Sequence, residues 1–175
     1  SNLAYDPIKD FTPVGRIDSA SFVLAVSATL PVQSVAELVA YAKARPGALN
    51  YASSGNGTPY HLAGEYFKAL IGGDIIHVPH KGSAEARTSV MSGQVEIMID
   101  AITTMASNVR AGKLKAMGTT GKTRSSVLPD VPTLAEAGVP GYESGIWLGL
   151  MAPAGTPRAV LERLNAETTR ILNAA

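Results

Sequence analysis

The residue types with chemistry to offer gather in one stretch, Tyr51-Ala52-Ser53-Ser54-Gly55-Asn56-Gly57-Thr58-Pro59-Tyr60-His61-Leu62. The apolar run from Leu49 to Ala52 reads as a strand and the Ser/Gly/Asn segment as a turn. Thr58 has the chemistry of a helix N-cap and Pro59 that of a first helical residue. A helix start presents unpaired N–H groups and a partial positive charge. Gly55 and Gly57 let an anion come close to the backbone. Two readings stand side by side. Residues Ser53, Ser54, Gly55, Asn56, Gly57 and Thr58 bind a carboxylate or phosphate, or they form only a tight connection between strand and helix.

Other candidates lie at equivalent points along the chain. His61, in the first helical turn, either donates to a bound carboxylate or hydrogen-bonds its own loop. Lys81 sits in the turn Pro79-His80-Lys81-Gly82, and Ser83 is placed to cap the helix after it. Asp100 ends an apolar strand, where a carboxylate is costly unless paired. It either caps the next helix or holds a ligand donor or a water. Each helix start favours an anion by roughly 0.3–1 kcal/mol when exposed.

The elements that must position these groups follow from periodicity. Val14 to Ile17 is a short strand in a lead-in segment, and Phe22 to Ser27 is a continuous apolar run that suits a buried parallel strand. Ser34 caps a helix with Glu37 at the capping-box position, and Arg45-Pro46-Gly47 stops it. Leu62, Ala63, Tyr66, Phe67, Leu70 and Ile71 place a helix over 59–71, stopped by Gly72-Gly73. Strands at 74–78, 95–99 and 114–119 alternate with helices at 83–92 and from Thr103 or Thr104 to Val109. Residues 121–132 form a Ser/Pro-rich loop, 133–137 a short helix, 142–152 an extended segment and 158–173 a last helix. This alternation means an α/β fold with a doubly wound, mostly parallel sheet. Ligands of such sheets bind beyond the carboxyl ends of the strands, so the turns at 53–58, 79–83 and 100–104 are expected at one end.

Composition narrows the function. The chain has 175 residues and a net charge of +1, with its fifteen Lys and Arg spread along its length, so no basic stripe marks a nucleic-acid partner. No cysteine is present, which excludes disulfides and Cys-based zinc sites. No cofactor or metal is expected. His77 and His80 make a poor metal pair, because a strand end and a turn aim their rings apart. Gly121-Lys122-Thr123 resembles the end of a phosphate-binding P-loop, but position 116 is Ala where that loop needs Gly. Gly55-Asn56-Gly57 opens like a dinucleotide fingerprint, but Tyr60 stands where the third glycine belongs. No Gly-x-Ser-x-Gly elbow occurs. Trp147 is expected in the core or on a hinge strand, Tyr60, Tyr66 and Phe67 in the core, and Glu85 and Arg87 in solvent. Ser1-Asn2 reads as a cleavage remnant.

Several blocks in series carry a family resemblance. They are Tyr51–Thr58 with His61-Leu62-Ala63; Val78-Pro79-His80-Lys81-Gly82-Ser83; Gly93-Gln94-Val95 through Met98-Ile99-Asp100; Leu128-Pro129-Asp130-Val131-Pro132-Thr133 with Glu136-Ala137-Gly138; Trp147-Leu148-Gly149-Leu150; and Ala152-Pro153-Ala154-Gly155-Thr156-Pro157. Together they resemble the solute receptors of tripartite tricarboxylate transporters, the Bug receptors. The resemblance implies a periplasmic, non-enzymatic binding protein. Its two α/β lobes would close like a Venus flytrap on a small carboxylate and deliver it to membrane permease subunits. The ligands it implies are di- and tricarboxylates, acidic amino acids and aromatic acids. It places Ser53–Thr58 in a carboxylate-binding loop, Lys81-Gly82-Ser83 at another pocket edge, and Asp100 at the acid that ends the corresponding strand. His80 and Ile99 depart from the Tyr and Phe usual there, which puts ligand identity in doubt.

The family's first-lobe Pro-Gly-Gly loop has no counterpart here. Residues 5–144 are therefore expected to be the second lobe, and 145–175 a returning strand and helix of a first lobe otherwise absent. A half-site of this kind implies affinity on the order of millimolar or weaker, and an exposed face prone to self-association. The competing readings are an α/β enzyme using His61, Lys81 and Asp100 on a carboxylate or phosphorylated metabolite, and an interaction module.

Overall fold

The computed structural model describes residues 3–174, so the Ser1-Asn2 dipeptide lies outside the described residues. The chain separates into two compact units. One is Ala20–Ile146; the other joins residues up to Ser19 with those from Trp147 onward.

In the Ala20–Ile146 unit five strands make one sheet in the order β3-β2-β4-β1-β5. They are β1 (Phe11–Ser27, of which the part from Ala20 belongs here), β2 (Leu49–Ser53), β3 (Ile75–Pro79), β4 (Ile97–Ala101) and β5 (Leu114–Thr119). β2 is parallel to β3 and to β4. β1 is antiparallel to both β4 and β5. Four strands therefore point one way and β1 runs against them. This corrects the expectation that Phe22–Ser27 is a parallel strand. A continuous apolar run reports burial on both faces and is silent about direction. The same element is also one strand from Phe11 to Ser27, where the sequence suggested two pieces.

Helices cover both faces. α1 (Val35–Ala44) and α2 (Pro59–Ile71) pack on the side that receives Phe22, Leu24, Val26, Leu49, Tyr51, Ile97 and Ile99. α3 (Ser83–Met91) and α4 (Ile102–Arg110) pack on the side that receives Val23, Ala25, Ala52 and Met98. The alternation follows from the two-residue period of the strand. α2 begins as its sequence requires: Thr58 caps it by accepting from the His61 N–H at 3.4 Å, Pro59 is its first residue, and Gly72 ends it in the left-handed region at φ 61°. α3 and α4 begin without a side-chain cap, so neither Ser83 nor Thr103 nor Thr104 serves as one. Thr104 is already inside α4, and its hydroxyl donates to the Ala101 carbonyl at 3.0 Å. Residues 133–138 form hydrogen-bonded turns rather than the expected helix; Thr133 and Glu136 bond reciprocally through side chain and backbone at 2.8 and 3.1 Å.

The second unit contains the first part of β1, β6 (Gly145–Pro153, chiefly from Trp147) and α5 (Arg158–Leu172). β6 pairs with β1. Asn165 on α5 donates to the Val14 carbonyl at 2.7 Å, and Gly15 gives that amide room. No residue of α5 is buried; Val160, Leu164, Ile171 and Leu172 are all exposed. Trp147 is 66% exposed on β6, which rules out the core and leaves the strand role of its two expected places. Tyr66 is also largely exposed, while Phe67 is buried as its spacing implies and Tyr60 is half-buried.

Gly64 on α2 is a packing requirement of this fold. A Cβ there would meet the Tyr51 ring at 2.3 Å. That ring is held by its hydroxyl on Glu65 Oε1 at 2.6 Å and by stacking on His77 at 4.7 Å. Alanine adds about 1 kcal/mol of helix propensity, but overpacking of this kind costs about 1–3 kcal/mol. Gly64→Ala is therefore expected to lower unfolding free energy by up to about 2 kcal/mol, measured by urea denaturation.

Candidate functional site

The carboxyl ends of β2, β3 and β4 lie side by side, and each leads directly into a helix: Ser53 toward α2, Pro79 toward α3 and Ala101 into α4. Because β1 is reversed, it contributes its Phe22 end here, with Phe22 opposite Ala101 in register and edge-on to the Tyr60 ring at 5.0 Å. The three turns named from sequence are therefore neighbours.

The Ser53–Thr58 turn is built from its own side chains. Ser53 is buried, and its hydroxyl lies 3.2 Å from both the N–H and the carbonyl of Gly55. Thr58 donates its hydroxyl to the Gly55 carbonyl at 2.8 Å. Gly55 and Gly57 have φ of 126° and 76°, conformations that a side chain disfavours. The His80 N–H donates to the Ser53 carbonyl at 3.0 Å, which ties the second turn to the first. Asn56 and Gly57 are exposed at the tip, and Ser54 is partly covered.

His61 hydrogen-bonds its own loop: its Nδ1 accepts from the Gly57 N–H at 3.1 Å. That bond occupies only one of the two ring nitrogens. His61 also lies against His77, ring centres 4.2 Å apart, and His77 Nε2 lies 2.6 Å from Ser53 Oγ. Tyr51, His77 and His61 thus form a continuous stack beneath the turn. His77 had been set aside as a strand-end residue, and it has a role in the turn that its sequence position did not signal. His80 turns its Nδ1 to the Val78 carbonyl at 3.0 Å and is half-buried rather than exposed. Among the described residues no group of three or more His, Cys, Asp or Glu could hold a metal.

Lys81 is exposed, and its N–H donates to Glu85 Oε2 at 3.0 Å, which satisfies the start of α3. Gly82 precedes that helix, and Ser83 is its first residue. The Ser83 hydroxyl reaches toward Asp100 Oδ1 at 3.4 Å. Asp100 is 1% exposed. It accepts from its neighbour's N–H, Ala101, at 2.7 Å and forms an ion pair with Arg87 at 3.2 Å. Arg87 was expected in solvent; its side chain is 18% exposed and turned inward, because a buried carboxylate is tolerated only when paired. Burial pushes the Asp100 carboxyl above its ordinary range, against the pull of the Ala101 N–H and the Arg87 charge. Burial and the negative charge of Asp100 together push the Tyr60 phenol upward, which sets Tyr60 beside the same acid. Ile99, where the family resemblance led one to expect Phe, is buried in the core on the α1/α2 side.

This chain belongs to the family described as the tripartite tricarboxylate transporter family receptor, whose model matches residues 1–175. Solved periplasmic binding proteins of the family share the fold. A curated protein of Pseudomonas sp. strain P51 is 40% identical over 173 residues, which cover 98% of this chain and 52% of that protein. The R. palustris protein Rpa4515, solved with adipate, is 40% identical with a TM-score of 0.88, covering 95% of this chain and 56% of that one. MatC from Rhodopseudomonas palustris, solved with bound malate, is 36% identical with a TM-score of 0.86, covering 97% and 58%. The chain spans about half the length of the curated relatives it matches. The family is one of solute-binding receptors, not of enzymes.

The His stack gives the turn a pH dependence. Burial, then the neighbouring His61, holds the His77 imidazole below its ordinary value near about 6.5. Lys68 and His80 act in the same direction, and Glu65 opposes them. The folded state then binds fewer protons than the unfolded one between the two pKa values, so stability is complete above about pH 6.5 and is lost as pH falls through that window. Denaturant melts at pH 7 and pH 5 should show this loss, and His77→Gln should shrink it.

Proposed function

We propose that this chain is the ligand-gathering lobe of a periplasmic solute receptor, and that residues 53–58, 81–83 and 100–104 form one wall of a site for a small dicarboxylate. The observation that carries the reading is the convergence of three strand ends and three helix starts around a turn with an exposed tip, in which the Ser54 and Asn56 N–H groups have no acceptor among the described residues. Backbone donors of this kind suit a carboxylate, which accepts without giving protons. Ser54, Asn56 and the Lys81 ammonium are the groups at hand for contact, and Gly57 lets a ligand approach the tip closely. Ser53, Gly55, Thr58 and His61 hold the turn in shape, and Gly82, Ser83 and Asp100 shape its far edge. The adipate and malate found in two relatives support a dicarboxylate of four to six carbons. Membrane permease subunits are the partner the family implies. An enzyme using His61, Lys81 and Asp100 is disfavoured, because the family is one of receptors and Asp100 is paired with Arg87.

The test is an NMR titration of the 15N-labelled chain with adipate, malate and their neutral diamides. Saturable shifts confined to the three turns, with the acids only, are expected at affinities on the order of millimolar. Gly55→Ala should weaken them, because a φ of 126° strains any residue that carries a Cβ. Shifts scattered over the surface, or equal shifts with the diamides, would sink the proposal.

Self-association is proposed from a separate observation. Val160, Leu164, Ile171 and Leu172 on α5, and Trp147, Leu148, Leu150 and Met151 on β6, are exposed apolar side chains. Sedimentation velocity should show mass rising with concentration, and Leu164→Glu with Ile171→Glu should reverse it.

A further inference from the structure

We propose that Arg87 sets the ligand charge this site accepts: by pairing with Asp100 it cancels a buried negative charge at the pocket edge, selecting dicarboxylates that carry no amino group. The inference rests on the carboxylate-site reading above and deepens it.

Asp100 is the one charged residue in the buried set among the described residues. Its Oδ1 lies 3.4 Å from the Ser83 hydroxyl, and Ser83 ends the Lys81-Gly82-Ser83 edge. An uncompensated carboxylate there would repel a second carboxylate and attract an ammonium group, since charges a few ångströms apart in a partly dry site interact strongly. Arg87 lies one helical turn beyond Ser83, on the same face of α3, which brings its guanidinium to Asp100 Oδ2 at 3.2 Å. No other cation is paired with that acid among the described residues. Lys81 lies at the opposite end of the same turn, where Glu85 takes its N–H. Tyr60 adds a phenol to Asp100 rather than a charge. With the ion pair in place Asp100 presents no uncompensated charge, and Lys81 and Glu85 add one charge of each sign at the other end, so a second carboxylate is no longer repelled and an ammonium group no longer attracted. Arg87 acts through Asp100 and is a positioning residue in this sense.

Succinate and aspartate differ by one ammonium group, and their ratio of affinities reads the effect. The 15N-labelled chain should bind succinate more tightly than aspartate. Arg87→Met should shift that ratio toward aspartate by about tenfold or more, and raise the Asp100 carboxyl titration followed by 13C NMR. Arg87→Lys should keep most of the wild-type ratio. Arg87→Met combined with Asp100→Asn, which removes both charges, should return it toward wild type and remains informative if the single variant unfolds. An unchanged ratio in folded Arg87→Met, or in the double variant a ratio still shifted toward aspartate, would overturn the charge assignment while leaving the carboxylate site standing. If neither acid produces a saturable shift in the wild-type chain, the site reading falls and takes this inference with it.

Discussion

The sheet of the Ala20–Ile146 unit depends on β1 being threaded backwards through its middle. Phe22, Val23, Leu24, Ala25 and Val26 have no exposed surface, and alternate side chains feed the two cores. One strand therefore holds both helix layers to the sheet. Its reversal also leaves the carboxyl ends of β2, β3 and β4 free to lead straight into helices at one end, with the Phe22 end of β1 closing the floor. Truncating a buried Phe or Leu here typically costs several kcal/mol, so the geometry at the strand ends rests on these five residues.

Around that floor the site is organised by satisfying polar groups rather than by leaving them open. Ser53 serves Gly55 and His77, Thr58 serves Gly55 and His61, and His61 serves Gly57. Among the described residues no buried side-chain nitrogen or oxygen lacks a partner. A turn stabilised in this way is preorganised, and an anion meeting its exposed tip has little ordering left to impose. The Asp100 carboxylate that an enzyme would need for proton transfer is paired with Arg87, which agrees with membership in a family of receptors.

The two units differ in how they meet their hydrophobic requirements. In Ala20–Ile146 the apolar faces of α1 to α4 are covered by the sheet. In the other unit α5 keeps its apolar residues in solvent and is attached through polar and backbone contacts such as Asn165 to Val14. An amphipathic helix gains most of its stability in a protein from packing that face. The exposed α5 face is therefore the least satisfied part of the molecule.

Much of this was legible from residue order, because the rules involved are local. Thr58-Pro59 and Gly72 bounded α2, and the strand–helix alternation gave the fold class; of the periodic set on α2 only Ala63, Phe67 and Ile71 are buried, while Leu62, Tyr66 and Leu70 are exposed. The family blocks gave the receptor class. What the chain order could not reveal is whatever depends on which strands become neighbours. The direction of β1, the stacking of His61 on His77, and the turn of Arg87 toward Asp100 join residues 13 to 98 positions apart through the sheet, as Phe22 and Thr120 also do. A run of apolar residues carries no arrow, and a lone Arg on a short helix looks solvated until a buried carboxylate is set beside it. Sequence by itself determined the elements and the class of protein; tertiary structure decided which charges meet, because burial makes an unpaired charge intolerable and only the assembled sheet defines what is buried.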